Sequence, residues 1–363
     1  MHLEVLIPDL SWPGRDAAET MHGAVAPTLA RWLSRSTRQP PIGASADDWL
    51  WRRFTAPAAD DARAVPRDGP AAKSALPIAA VTLAFDGHAP GERWWMRADP
   101  VHFIVGRTGL RLAPPAHLQL LAEESEALAG SVRAHFPALA TDFLAPGPAR
   151  WYLGADRPFE IDTTDPADAI GDDVDRNLPR GPGRKQWLGF VNEVQMLWFE
   201  HPVNQAREQR GEPTVSGLWL HGPGRMPGPG LPGCSGAAGG GERLAGLATL
   251  AGCRWIDTDA GAQHWLGQAI DGHWLLSLDA LTAHRQAGDP SGWRAALARL
   301  DAAWLAPLDQ ALHSGRIATI DLRWPSRGGL SAAHIVPADR FRFWRRRLPL
   351  AALLADPHGR SDA

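Results

Sequence analysis

The chain has 363 residues with a formal net charge of -3, long enough to bury a sizeable core in one large or two interleaved domains and without the basic excess that nucleic-acid binding requires. Its two cysteines, Cys234 and Cys253, are too few and too badly placed for a disulfide framework or a cysteine zinc site, so a reduced cytoplasm is expected. "MHLEVLIPDLSWPGRD" lacks a basic region leading into a long apolar core, and no later run approaches the ~20 apolar residues of a membrane span, so the expectation is a soluble, cytoplasmic protein with no membrane partner.

"LEVLIPDL" is strongly apolar, as expected of a strand buried on both faces, and it ends at Asp9 before a Trp-Pro-Gly turn. "HGAVAPTLARWLSRS" follows as a helix with Pro27 just inside it and Leu29, Trp32 and Leu33 on one face. Residues 55–75, rich in Ala, Asp, Pro and Arg, read as a mobile loop. "AAVTLAF" alternates Val81, Leu83 and Phe85 inward as a strand. "WWMRADPVHFIVGRTGLRL" gives a strand, a turn at Gly106 to Gly109 and a second strand. Leu121, Leu128 and Val132 mark an amphipathic helix between Leu118 and Phe136, and "ARWYLGA" is a further strand. This order suggests a small α+β unit over residues 89–200.

"SGLWLH" then reads as a short buried strand, "GPGRMPGPGLPGCSGAAGGGE" as a loop, and "ERLAGLATLAG" as a helix with a glycine stop. "HWLLSLDAL" is a strand ending near Asp279. Trp293, Leu297, Leu300, Trp304, Leu308 and Leu312 recur at three and four, predicting one long helix. "RIATIDLRWPSRGG" reads as a strand that stops at Asp321, with Pro325, Gly328 and Gly329 opposing further pairing. The expected fold is α/β: a mostly parallel sheet with flanking helices, formed by residues 1–88 and 201–350, with the α+β unit inserted and residues 351–363 as a tail. "FRFWRRRLP" is locally basic and reads as a solvated helix end. Most of the 17 Trp, set against one Tyr, are expected in the core.

Strands ending at Asp9, Asp279 and Asp321 would place three carboxylates on one rim of a parallel sheet, where a divalent metal can bind, and His284 and His334 could add nitrogen ligands. Acids at strand ends also cap helices and turns, which competes with the metal reading. Arg97, Asp99 and His102 read either as a buried ion-pair cluster or as a ligand site. His201, Asn204 and Arg207 fall at helical spacing and could face a phosphate together, or Asn204 could stabilise a helix start. His221 with Gly222 and Gly224 reads as a strand entering a glycine loop, a weak anion signal.

Several stretches resemble cofactor-independent phosphoglycerate mutases of the archaeal type. "SGWRAALARLDAAWLAPLDQALHSGRIATIDLRWP" is similar to a C-terminal segment in which a helix with an aspartate, here Asp301, leads to a strand ending in Asp-His-Ser-Thr-Pro. "SLDALTAHRQAGD" resembles that family's Asp-Glu-Ala-Gly-His segment. "HPVNQAREQRGEPTVSGLWLHGPGRMP", "DTTDPADAIGDDVDRNLPRG" and "APTLARWLSRS" resemble other parts of it. "WWMRADPVHF" and "HPVN" also resemble proteobacterial proteins of the RpfE-type regulatory family.

The resemblance implies an alkaline-phosphatase-like core with an inserted domain, two bound metals of the Mn, Mg or Zn class, and a nucleophilic serine, for which Ser36 and Ser45 are the candidates. This chain departs from that pattern. The Asp-Gly-x-Gly start is "PDLSWPG", the Asp-to-His spacing of four becomes five at Asp279 and His284, and the Asp-His pair becomes Asp321 and Leu322. Leucine cannot ligate a metal. The favoured expectation is therefore a non-catalytic regulatory or ligand-sensing descendant without a cofactor, partnered by a phosphorylated small molecule or a regulatory protein. The alternative is an active metal-dependent mutase or phosphotransferase.

Overall fold

A computed structural model describes residues 1–12, 17–56, 76–106, 109–139, 141–326, 328–345 and 348–354. Most of the expected loop at 55–75, the Pro-Gly part of the turn after Asp9, the tip of the hairpin at 107–108 and the tail beyond 354 lie outside the described residues. The strands in chain order are β1 (His2–Leu6), β2 (Thr37–Ile42), β3 (Trp94–Val101), β4 (Phe103–Val105), β5 (Leu110–Leu112), β6 (Phe143–Gly147), β7 (Arg150–Ala155), β8 (Gly217–Gly224), β9 (Gly236–Gly239), β10 (Arg254–Ile256), β11 (His273–Ser277), β12 (Thr319–Ser326) and β13 (Gly329–Ile335). The chain divides into two compact units, Met1–Pro57 with Pro229–Ala363, and Ala58–Gly228.

The first unit is α/β, with a seven-stranded sheet in the order β10-β9-β11-β1-β12-β13-β2. The strands from β10 to β12 run parallel, and β13 and β2 are antiparallel additions at one edge. Register sorts the side chains by face, because residues opposite one another on paired strands share a face and sequence neighbours do not. Leu3 lies opposite Trp274 and Ile320, and Val5 opposite Leu276 and Leu322. That face is the core, closed by Leu29, Trp32, Leu33, Trp265, Trp293, Leu297 and Leu308 from the helices. Trp265 and Trp274 meet edge to face at 5.9 Å, an arrangement favoured by the ring quadrupoles.

Helix Pro27–Arg35 has Pro at its start and no capping side chain of its own. Its Thr28 and Leu29 N–H groups donate instead to Asp301, at 3.1 and 2.8 Å, so the aspartate within the later helix serves as a cap from a distance of 272 or 273 residues. The expected single helix around Trp293–Leu312 is Pro290–Leu300, a π turn at Asp301–Leu305, and Ala306–His313. Pro307, just beyond the π turn, has no N–H to give the preceding turn, which accounts for the break in register.

The second unit carries the antiparallel sheet β6-β7-β3-β8 and the hairpin β4-β5. One face packs Met96, Trp151, Leu153 and Leu218 against Leu128 and Val132 of helix Ala122–His135 and Val194 and Trp198 of helix Arg184–Phe199. On the other face Trp95 and Tyr152 pack against Ala79, Ala80 and Leu83.

Four expectations are corrected here. "AAVTLAF" is a helix, Ala79–Phe85; its alanines favour a helix, and Thr82 folds its hydroxyl back onto the Ile78 and Ala79 carbonyls. "SGLWLH" belongs to β8, which pairs with β3 in the second unit instead of joining β1, β11 and β12. An apolar run buried on both faces does not say which sheet receives it. The glycine-rich stretch after it contains a buried strand, β9, whose small residues pass under Trp274: a Cβ at Gly236 would come within 2.5 Å of that ring. Finally, β12 does not stop at Asp321 but runs to Ser326, and Pro325 is tolerated within it opposite Leu330 of β13.

Candidate functional site

In the first unit, the polar face of the sheet starts from Glu4. It lies opposite Asp321 on β12 and is 6% exposed, so a carboxylate is buried in an otherwise apolar strand. Such a group needs compensating charge. Arg53 from helix Ala46–Phe54 supplies it at 2.6 Å, His273 of β11 stands at 3.2 Å, and Arg323 of β12 at 3.6 Å. Trp49 lies under both guanidinium groups, at 5.2 Å from Arg53 and 4.9 Å from Arg323. The signal for this cluster in the sequence is Glu4 itself, an acid inside "LEVLI".

The five expected metal ligands do not converge. Asp321 pairs with His334 across β12 and β13, Oδ1 to Nδ1 at 2.7 Å, so those two residues are brought together. However, Asp321 stands level with Glu4, in mid-sheet. Asp9 lies five residues further along its chain, beyond the end of β1 and in the turn that follows it. The expectation that Asp9, Asp279 and Asp321 share one rim is thereby corrected. β12 runs on past its acid to Ser326, which keeps Asp321 away from the strand end.

Asp9 takes a left-handed backbone, φ 58°, its carboxylate pairs with Arg285, and its carbonyl accepts the Trp293 indole N–H at 3.0 Å. Its place at the strand end is thus explained by local bonding. His284 Nδ1 lies 3.2 Å from Asp289, which caps helix Pro290–Leu300 by accepting the Gly292 N–H. Those bonds, the Gly292 N–H first, hold the Asp289 carboxyl below its ordinary range.

Asp279 follows β11 on the rim. The residue as a whole is exposed, but its carboxyl is partly desolvated; desolvation first, then the negative charges of Glu242, Asp257 and Asp259, raise its pKa above the ordinary range. Among the described residues no group of three or more His, Cys, Asp or Glu is arranged to hold a metal. The residues present do not fit the two-metal centre that the resemblance implied. Leu322, at the position of the missing imidazole, is fully buried in the core on the face opposite Asp321.

The serine candidates stand at helix ends. Ser45 caps helix Ala46–Phe54, its Oγ accepting the Asp48 N–H at 3.0 Å and donating to the Asp48 carboxylate at 2.9 Å. Ser36 follows helix Pro27–Arg35, 2% exposed, with its Oγ unpartnered.

The second unit holds the remaining candidates in separate networks. Arg97 makes a paired contact with Asp99, Nε to Oδ1 at 2.9 Å and Nη2 to Oδ2 at 2.7 Å, and His221 Nε2 meets the same carboxylate at 2.9 Å. Burial opposes ionisation of Asp99, but Arg97 and His221 outweigh it and hold the carboxyl at about 2. Arg97 also lies over the Tyr152 ring at 5.3 Å, and Tyr152 donates to Asp86 at 2.7 Å. His102 is not part of this set: its Nδ1 lies 2.8 Å from the Thr214 carbonyl.

His201, Asn204 and Arg207 belong to one helix, from its cap to its last turn, but do not face outward together. His201 caps helix Pro202–Gln209 through the Val203 N–H, and burial lowers its pKa. Asn204 binds the Val215 backbone in both directions, at 2.8 and 2.9 Å, and the Trp198 carbonyl. Arg207 is 2% exposed and commits all three guanidinium nitrogens inside the unit: Nε to the Pro213 carbonyl at 2.7 Å, Nη1 to Glu124 at 2.5 Å and Nη2 to the Leu118 carbonyl. The expected phosphate-facing trio is a structural clasp. Its acid, Glu124, was missed because it opens a helix whose Glu-rich face looked solvated. The expected glycine loop is likewise the end of β8, where a Cβ on Gly224 would stand 2.3 Å from Pro77.

No protein-family model matches the chain. A 74-residue stretch is 32% identical to the 2,3-bisphosphoglycerate-independent phosphoglycerate mutase of Methanosarcina acetivorans; the match spans 20% of this chain and 19% of that protein's length. Among solved structures, the PH0037 protein of Pyrococcus horikoshii aligns with a TM-score of 0.51 at 14% identity, over 92% of this chain and 87% of that one. The cofactor-independent phosphoglycerate mutase of Thermoplasma acidophilum aligns with a TM-score of 0.41 at 18% identity, over 93% and 90%. At such identities the likeness to PH0037 is one of fold.

Proposed function

We propose that this is a phosphoglycerate mutase-like protein that no longer runs metal-dependent phosphoryl transfer and instead senses a phosphorylated small molecule or engages a regulatory protein. The observation that carries this reading is the internal pairing of the expected ligands. Asp9 is neutralised by Arg285, Asp321 by His334, and His284 is turned to a helix cap at Asp289. Two-metal catalysis needs ligands that converge on ions about 4 Å apart and stabilise the entering and leaving oxygens together. Here the acids are spread between mid-sheet and rim, and Leu322 adds an apolar wall. The test is the metal content of protein purified without chelator, combined with thermal shifts by phosphoglycerates with and without added manganese. Metal well below one equivalent, with any phosphoglycerate shift independent of manganese, supports the proposal; two tightly held equivalents would defeat it.

The second reading, an active metal-dependent mutase or phosphotransferase, draws on the 74-residue likeness to a named mutase. It requires Asp9 to leave Arg285 and Asp321 to leave His334 on metal binding. A manganese-dependent shift that vanishes in Asp9→Asn would favour it.

A further inference from the structure

We propose that Cys234 and Cys253 are a modification site: a pair of thiols that closes to an intramolecular disulfide on reaction with a low-molecular-weight disulfide such as oxidised glutathione. The sequence separation hides their proximity. β9 and β10 are parallel neighbours with Gly236 opposite Arg254, so Cys253, one residue before Arg254, stands one diagonal step from Cys234. A strand spacing of about 4.8 Å and a rise of about 3.3 Å put the two Cα atoms about 6 Å apart, within the range a disulfide spans. The sulfurs lie 4.0 Å from one another, and the Cys253 thiol donates to the Cys234 carbonyl at 3.3 Å. Both residues are partly exposed, so a small reagent can reach the pair. Closure requires the sulfurs to approach to about 2 Å, a movement that side-chain rotation can supply.

The order of the two steps follows from the surroundings. Burial, and then the neighbouring Cys253 sulfur, push the Cys234 thiol up to about 12, which makes it the poorer first nucleophile. Cys253 gives its proton to solvent and its sulfur attacks one sulfur of the reagent, breaking that S–S bond and releasing one thiolate. The Cys234 sulfur, deprotonated to solvent, then attacks the Cys253 sulfur of the mixed disulfide, forming the protein S–S bond and releasing the second thiolate. The protein loses two hydrogens and the reagent is reduced to two thiols. Once Cys253 is in the mixed disulfide it no longer opposes ionisation of Cys234, and Arg53 nearby favours it. Closure ties β10, the end strand of the seven-stranded sheet, to the segment entering β9.

The experiment treats the full chain with oxidised glutathione and follows free thiols, intact mass and peptide maps. The expected result is the loss of both thiols, a mass lower by two hydrogens, a peptide linking Cys234 to Cys253, and a melting midpoint raised by about 5–10 °C, since a loop of this length is closed. C234S should accumulate one glutathione on Cys253, and C253S should react more slowly than C234S, because burial, the larger cause, still opposes ionisation of Cys234. Two glutathiones retained on the folded wild-type chain, a disulfide-linked dimer, or two thiols that persist under conditions that oxidise the urea-unfolded chain would each overturn the proposal.

Discussion

Introducing the imidazole that the resemblance implies and this chain lacks, by Leu322→His, should damage the fold and create no metal site. Leu322 is 0% exposed and lies beside Val5 and Ala333 on the core face of the sheet. Removing its side chain from the core forfeits about 2–3 kcal/mol of burial. An imidazole there adds about 1–3 kcal/mol for a polar group with no partner. The expected cost is about 3–6 kcal/mol, a large part of a domain's total stability, and a fall in melting midpoint on the order of 10 °C. The new ring would also point away from Asp321, because adjacent strand residues face opposite sides. Urea and thermal unfolding with and without manganese or zinc measure both effects. The reasoning is refuted if the variant matches the parent within about 1 kcal/mol and gains a metal-dependent rise in midpoint.

Three further outcomes are expected. Asp301→Ala should cost about 2–4 kcal/mol in urea unfolding, because it strips the acceptors from two N–H groups at the start of helix Pro27–Arg35, and Asp301→Asn should recover part of this. Asp99 is depressed from the ordinary aspartate range to about 2, so its contribution, on the order of 2 kcal/mol, is complete above about pH 4 and lost as pH falls through about 2. Acid unfolding should therefore lose this component in Asp99→Asn. Arg207→Met should destabilise by about 3–5 kcal/mol, since Glu124 and two backbone carbonyls lose a buried partner, and should leave any phosphoglycerate thermal shift unchanged in size.

The α/β class was legible because apolar strands such as "LEVLI" and "HWLLS" and the three-and-four spacing around Trp293 carry their own periodicity. Assignment of "SGLWLH" to a sheet was not, since its apolar residues suit either one and only the pairing of Asp99 with Trp219 decides. "AAVTLAF" failed because seven residues satisfy both periods, and alanine propensity settles it. At the candidate site the sequence names Asp321 and His334 only as separate metal ligands; their pairing, and its place in mid-sheet, depend on β13, the antiparallel neighbour that carries β12 past Pro325. The partners of Glu4, on a helix and on two other strands, and the approach of the two cysteines at neighbouring strand starts depend on tertiary placement, which composition and spacing do not encode.

The proposed function holds that the carboxylates and imidazoles at the expected ligand positions support the fold and no metal chemistry. Phosphoglycerate mutase and phosphomonoesterase turnover of the unmodified protein, assayed with manganese, magnesium and zinc in turn, tests it most directly. The expected result is no turnover above the buffer rate with any of the three ions. Robust turnover that disappears in Asp321→Ala, with unfolding and circular dichroism showing that variant intact, would contradict the claim and establish the enzyme reading in its place.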